Sequence, residues 1–220
     1  MDLSHANLSK IPDAVFKLPH LQVLYLFTNK IEEVPDSIGK LLSLRHLHLS
    51  HNKLSSLPES LGNLRNLEQL DFERNKFTTF PDCVCKVLSL RFICAYGDSP
   101  RKRNEFTTLP ESFGGLLNLE ELNLSRVGLE SLPESFGNLK NLEYLKLNKN
   151  RLTELPESFG NLTSLEYLEL KYNKLEKLPE SFGNLRSLEE CNLFKNNLFT
   201  LPKSIGQLKN LKTLDLLQNP

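Results

Sequence analysis

Residues 142–164 read Leu142-Glu-Tyr-Leu-Lys-Leu-Asn-Lys-Asn-Arg-Leu-Thr-Glu-Leu-Pro-Glu-Ser-Phe-Gly-Asn-Leu-Thr-Ser164. Leu145 and Leu147 alternate with Tyr144, Lys146 and Asn148, the period of a strand that sends leucines to one face and variable residues to the other. Further on, Pro156 fixes the first residue of a short helical turn, and Glu157 then sits near the positive end of that turn. Seven positions are apolar: Leu142, Leu145, Leu147, Leu152, Leu155, Phe159 and Leu162.

The same unit, L-x-x-L-x-L-x-x-N-x-L-x-x-L-P-x-x-F/I/L-G-x-L, starts at Leu21, Leu44, Leu67, Leu90, Leu119, Leu142, Leu165 and Leu188. Partial copies occupy Met1 to His20 and Leu211 to Pro220. Every complete copy has 23 residues except the one at Leu90, which carries six more within residues 96–105. One unit buries too little apolar surface to offset the entropy of ordering it, so stability must come from stacked neighbours. Without any break in composition, the repeat predicts one elongated domain over residues 1–220. Glu59, Glu111, Glu134, Glu157 and Glu180 recur at the start of the helical turn, which explains them without catalysis.

On these residues the chain resembles the leucine-rich repeat proteins. The likeness is to the 23-residue type of bacteria, notably spirochaetes, and in motif to the Ras-group-related repeats of plants and animals. The resemblance implies an α/β solenoid: a horseshoe with a concave parallel sheet of about ten strands and short helical or extended segments on the convex side. It also implies a ladder of structural asparagines, here Asn29, Asn52, Asn75, Asn150, Asn173, Asn196 and Asn219, whose amides bond turn backbone between coils.

Lysine plus arginine equals aspartate plus glutamate at 27 each, so no whole-molecule field draws in nucleic acid or an anionic membrane. No apolar run approaches the length of a membrane span, and no export signal is visible at Met1. Cys83, Cys85, Cys94 and Cys191 match neither a paired zinc motif nor a cysteine-rich cap. Cys191 replaces a core leucine, and Cys83 and Cys85 are too close for an unstrained disulfide, so free thiols are expected. The thiols and the missing signal lean toward a cytoplasmic setting, with an exported bacterial protein as the alternative.

Departures from the motif carry the individual information. In the long unit either Asp98 or Asn104 must take the ladder position, and the next unit has Val127 there, which predicts unpaired backbone and a local irregularity. Ala95 replaces a leucine beside Phe72, whose ring is expected to fill the vacated space. The convex spine changes from Val15, Ile38, Leu61 and Val84 to Phe113, Phe136, Phe159 and Phe182. Neither end shows a capping module, so the terminal edges predict self-association or a longer native protein.

All five tyrosines, Tyr25, Tyr96, Tyr144, Tyr167 and Tyr172, fall at concave positions, as do Phe27, Phe92 and Phe194. His5, His46, His48 and His51 join them. Concave tyrosines favour recognition, since Tyr is an efficient binding anchor; the plain alternative is cross-strand packing. The second position of the unit carries Glu68, Glu120, Glu143, Glu166 and Glu189, broken by Arg45 and Arg91. The eighth carries Arg74, Arg126, Lys149 and Lys195. About 20 Å apart along the strand, against a Debye length of about 8 Å, these columns predict separate acidic and basic lips, with Arg101, Lys102 and Arg103 extending the basic one. No metal or other cofactor is favoured; His46, His48 and Asp71 are the candidate metal ligands. Cys94 and His48 stand two strands apart, too far for a nucleophile and its base, and no phosphate loop, HExxH or GxSxG motif is present. The reading is a non-catalytic module that binds a protein or peptide, and the resemblance to bacterial repeats implies a host or cell-surface protein as that partner. The partner surface is Tyr25, Phe27, His46, His48, Phe92, Tyr96, Tyr144, Tyr167, Tyr172, Phe194, Arg101, Lys102 and Arg103. The alternatives are an assembly scaffold joined through terminal strands and the recognition arm of a larger enzyme.

Overall fold

The computed structural model describes residues 1–97 and 104–220. Each coil contributes one short strand to an open parallel sheet in simple sequential order: β1 (Val23–Tyr25), β2 (His46–His48), β3 (Gln69–Asp71), β4 (Phe92–Cys94), β5 (Glu121–Asn123), β6 (Tyr144–Lys146), β7 (Tyr167–Glu169), β8 (Glu190–Asn192) and β9 (Thr213–Asp215). The expected ten strands are thus nine, because the first partial coil contributes only a bridge, Asp2 to Tyr25. Each strand's central residue faces the core: Leu24, Leu47, Leu70, Ile93, Leu122, Leu145, Leu168 and Cys191 are at most 1% exposed. Register advances by one repeat at each step, and β4 pairs with β5 as regularly as the rest, Phe92 opposite Glu121. The extra residues therefore leave the sheet undisturbed.

On the convex side every described coil makes a five-residue 3-10 turn, such as Glu157–Asn161. The proline before it is extended, with φ −64° and ψ 153° at Pro156, so it caps the turn rather than forming its first residue. Phe113, Phe136, Phe159 and Phe182 stack in the core with centroids 5.9, 6.2 and 6.3 Å apart and planes within 4° of parallel. Phe80 meets Phe113 edge-on at 5.2 Å, joining the stack to the aliphatic spine that precedes it. Phe72 and Ala95 are both fully buried, and the nearest rings to Phe72 are Phe77 and Phe80.

The asparagine ladder runs as the resemblance implies, and in the long coil Asn104 rather than Asp98 fills it. Its amide donates to the carbonyls of Phe72 and Ala95, and its oxygen accepts from Phe77 N–H. The unpaired backbone expected at Val127 does not occur. The Phe106 N–H that an asparagine side chain would have bound is accepted at 2.9 Å by the main-chain carbonyl of Val127 itself. Asn150 in turn accepts from the N–H groups of Val127, Gly128 and Leu129. Gly128, at φ +91°, supplies a turn that a side chain would resist.

Candidate functional site on the concave face

Alternation along each strand leaves the third, fifth and seventh positions of every unit on the concave surface, one coil about 4.8 Å from the next. The eighth position was not anticipated as special, yet its backbone is left-handed in nearly every coil. His5, Thr28, His51, Arg74, Arg126, Lys149, Tyr172, Lys195 and Gln218 have φ between 52° and 59°. Such a conformation costs a non-glycine residue on the order of 1 kcal/mol, and inter-coil hydrogen bonds hold it here. Lys149 N–H donates to the carbonyl of Lys171 and Tyr172 N–H to that of Phe194, continuing the ladder past the end of the strand. Nothing in residues such as Thr28 or Lys149 signals a left-handed backbone, which is why the sequence hides it.

The concave aromatics form three groups. At the N-terminal end, His5 meets Phe27 edge-on at 5.2 Å, Phe27 lies 6.2 Å from Tyr25, and Tyr25 lies 4.8 Å from the His48 ring. In the middle, the Arg74 and Arg126 guanidinium groups stand 5.9 and 6.0 Å from the Tyr96 ring centre. Toward the C-terminal end, Tyr144 lies 6.3 Å from Tyr167, over which Lys146 Nζ sits at 5.7 Å. Tyr172 is flanked there by Lys149 and Lys195 at 5.1 and 5.2 Å, with Phe194 edge-on. Tyr144 and Tyr172 are 41% and 39% exposed, His5 is exposed as well, and the other rings are half-buried. Phe92 lines a shallow depression with Glu121, Asn123, Tyr144 and Lys146. His46 is half-buried between Val23 and Gln69 and joins none of these groups. Arg101, Lys102 and Arg103 lie outside the described residues.

The acidic lip carries less net charge than its glutamates imply. Arg45 pairs with Glu68, Arg91 grips Glu120 with two hydrogen bonds of 2.8 and 2.7 Å, and Lys212 holds Glu189 at 2.7 Å. Basic residues that interrupt the acidic column thus neutralise much of it. The basic column spends its charge on ring faces, where each cation–π contact is worth about 0.5–1 kcal/mol at exposed sites. Burial, with the carboxylates of Glu169 and Glu190 behind it, pushes the Tyr167 hydroxyl up to about 12.

All four cysteines are free and buried. Burial raises the thiols, Cys83 to about 11 and Cys191 to about 12. At neutral pH they hold little thiolate and make poor nucleophiles. Titratable groups do converge at one place. Donor atoms of Asp71, Glu73 and Cys94 all lie within 4.8 Å of one another, and His48 Nδ1 is 3.8 Å from Asp71 Oδ2. Of the ligands expected from sequence, His48 and Asp71 belong to this cluster and His46 does not. Glu73 and Cys94 were missed because their approach depends on strand register and side-chain angle together.

An open parallel solenoid with a laddered turn, a capped convex helical turn and an aromatic concave face defines a repeat protein built to present one long surface. Models of the leucine-rich repeat region match residues 36–130, 84–170 and 109–219, and a leucine-rich repeat model matches residues 1–54. The chain belongs to the leucine-rich repeat proteins. No curated protein gives a significant match. Among solved structures it is similar to a leucine-rich repeat protein of Leptospira interrogans, at 31% identity and a TM-score of 0.67, over 97% of this chain and 64% of that one. It is also similar to the leucine-rich repeat domain of the type III effector XopL, at 27% identity and a TM-score of 0.80, over 97% of this chain and 73% of that one. A third is the plant peptide hormone receptor RGFR1 in complex with RGF2, at 27% identity and a TM-score of 0.62, over 95% of this chain and 41% of the receptor. The chain thus spans less than two thirds of the Leptospira protein and under half of the receptor.

Proposed function

We propose that this protein is a non-catalytic binding module whose concave sheet takes a protein or peptide. The observation that carries the reading is the group Tyr144, Tyr167 and Tyr172, rings on two successive coils set among Lys146, Lys149 and Lys195. Rigid aromatic surface loses little entropy on binding, and lysines over ring faces stay available to carboxylates of a partner. The similarity to a receptor described as bound to a peptide hormone agrees with this use of the fold, although a fold alone does not supply a partner. The test is affinity capture with the folded chain, with mass spectrometry of what is retained. The same capture is repeated with Tyr144, Tyr167 and Tyr172 all changed to serine. The reading expects partners held by the natural chain and lost by the variant; equal retention of the same partners by both would overturn it.

A further inference from the structure

We propose that Asp71, Glu73 and Cys94, with His48 beside Asp71, form a site for one divalent transition-metal ion of the zinc type on the concave face, the three carrying the ion and its fourth position open. Register builds it. His48 on β2 is opposite Asp71 on β3, and Asp71 is opposite Cys94 on β4, so three donors stand in one row across three coils. Glu73 follows Asp71 by two residues and points to the same side. At the fifth position the flanking coils offer Tyr25 and Asn123 instead.

The spacing suits a small tetrahedral ion. With metal–sulfur bonds of about 2.3 Å and metal–oxygen or metal–nitrogen bonds of about 2.0 Å, adjacent ligand atoms lie about 3.3–3.5 Å apart. Cys94 Sγ is already 3.4 Å from Glu73 Oε2. The other edges among the three, at most 4.8 Å, close by up to about 1.5 Å through side-chain rotation. His51 Nε2 is 3.6 Å from Glu73 Oε1 but closer, 3.1 Å, to Arg74 Nη1, and it is left out of the set.

The chemistry points to the same ion class. A thiolate beside two carboxylates favours zinc, cobalt or iron over magnesium or calcium, which want oxygen alone. Burial and the carboxylates of Asp71 and Glu73 push the Cys94 thiol up. A divalent cation reverses that logic by holding the thiolate and relieving the repulsion among the anions. The site revises the expectation that no cofactor is used, and it stands whether or not the concave tyrosines bind a partner.

The test uses the whole chain, reduced and stripped of metal by a chelator, titrated with cobalt(II) and then zinc. The proposal expects one equivalent to bind, a thiolate-to-cobalt charge-transfer absorption that zinc bleaches, and release of about one proton per ion. Cys94→Ser should abolish the absorption, whereas Cys191→Ser should keep it. Glu73→Gln and Asp71→Asn should each weaken binding at least tenfold with the circular dichroism unchanged. Absence of the absorption at millimolar cobalt, or wild-type affinity in Cys94→Ser, would overturn the site. Should Cys94→Ser fail to fold, the two amide variants decide the matter, and wild-type affinity in both overturns it.

Discussion

Asn150 shows how much one buried amide can be asked to do. Other ladder residues accept a single N–H from the coil before, as Asn173 does from Leu152. Asn150 accepts from three and donates to the carbonyls of Leu124 and Leu147. Removing it orphans several buried groups at about 1–3 kcal/mol each when unsatisfied. Asn150→Ala should therefore lower stability by about 3 kcal/mol or more in urea unfolding, and Asn219→Ala, on the partly exposed last coil, by about 1 kcal/mol. Equal losses at the two sites would show that the triple acceptance carries no weight. Tyr167 makes a second prediction at this scale. Its hydroxyl is raised from its ordinary value near 10 to about 12 in the folded chain, so the unfolded chain ionises first as pH rises. The stability it contributes is whole below pH 10 and lost between about 10 and 12. Ultraviolet titration should show one late phenol that disappears in Tyr167→Phe and moves earlier in Glu169→Gln. An unchanged titration in both variants would refute the assignment.

At the scale of elements, the 3-10 turns approach one another far more closely than their apolar pattern announces. Ser135, Ser158, Ser181 and Ser204 each donate a hydroxyl to a carbonyl one coil back, that of Glu111, Glu134, Glu157 and Glu180. The glycine of each motif admits this contact: a methyl group on Gly160 would lie 2.1 Å from the carbonyl oxygen of Ser181. Gly160→Ala is expected to cost about 2–3 kcal/mol by forcing two coils apart. Gly206→Ala, where nothing lies within 4 Å, should be neutral or stabilising by up to about 1 kcal/mol. Comparable thermal melts for the two variants would contradict the close-approach account. The motif displays this glycine and serine in most aligned copies, yet their purpose was not legible, since it exists only between coils. The core leucines and the phenylalanine spine were legible because each follows from periodicity within a unit, and the asparagine ladder because the resemblance to leucine-rich repeat proteins implies it. The left-handed eighth position was not, because Thr28, Lys149 and Tyr172 are held there by neighbours against their own preference. The Asp71, Glu73 and Cys94 cluster lies between these extremes: aligned columns place its members on one face, and only the register brings their donor atoms together.

The whole molecule is two differently built halves sharing one sheet. From Glu111 onward the coils carry the stacked phenylalanines and the serine hydroxyl bonds, whereas close glycines occur in both halves, a methyl on Gly39 lying 2.6 Å from the Ser60 carbonyl oxygen. Before it the spine is aliphatic, no such serine bond joins the described coils, and the Ser60 hydroxyl is buried without a partner. Between the halves, Cys83 and Cys85 replace the motif's serine and glycine in the turn Asp82–Lys86. Gly62, one coil earlier, would place a methyl 3.8 Å from the Cys83 carbonyl, where its later counterparts would meet the serine carbonyl near 2 Å. In a solenoid each coil is stabilised mainly by its neighbours, so a difference in interface strength becomes a difference in local stability. Amides of β6 to β8 are expected to exchange with solvent more slowly than those of β1 to β3, by a factor of about ten for each 1.4 kcal/mol of interface energy. The continuous sheet and the Phe80 contact to Phe113 couple the halves, so the weaker one should open while the stronger keeps its circular dichroism at intermediate urea. Installing the missing seam with Cys83→Ser and Cys85→Gly together should narrow the gap in protection, because it gives Ser112 and its neighbours the packing the later coils enjoy. Uniform protection across the nine strands, or a gap that the double variant leaves unchanged, would mean that the convex seam does not set the stability of the coils.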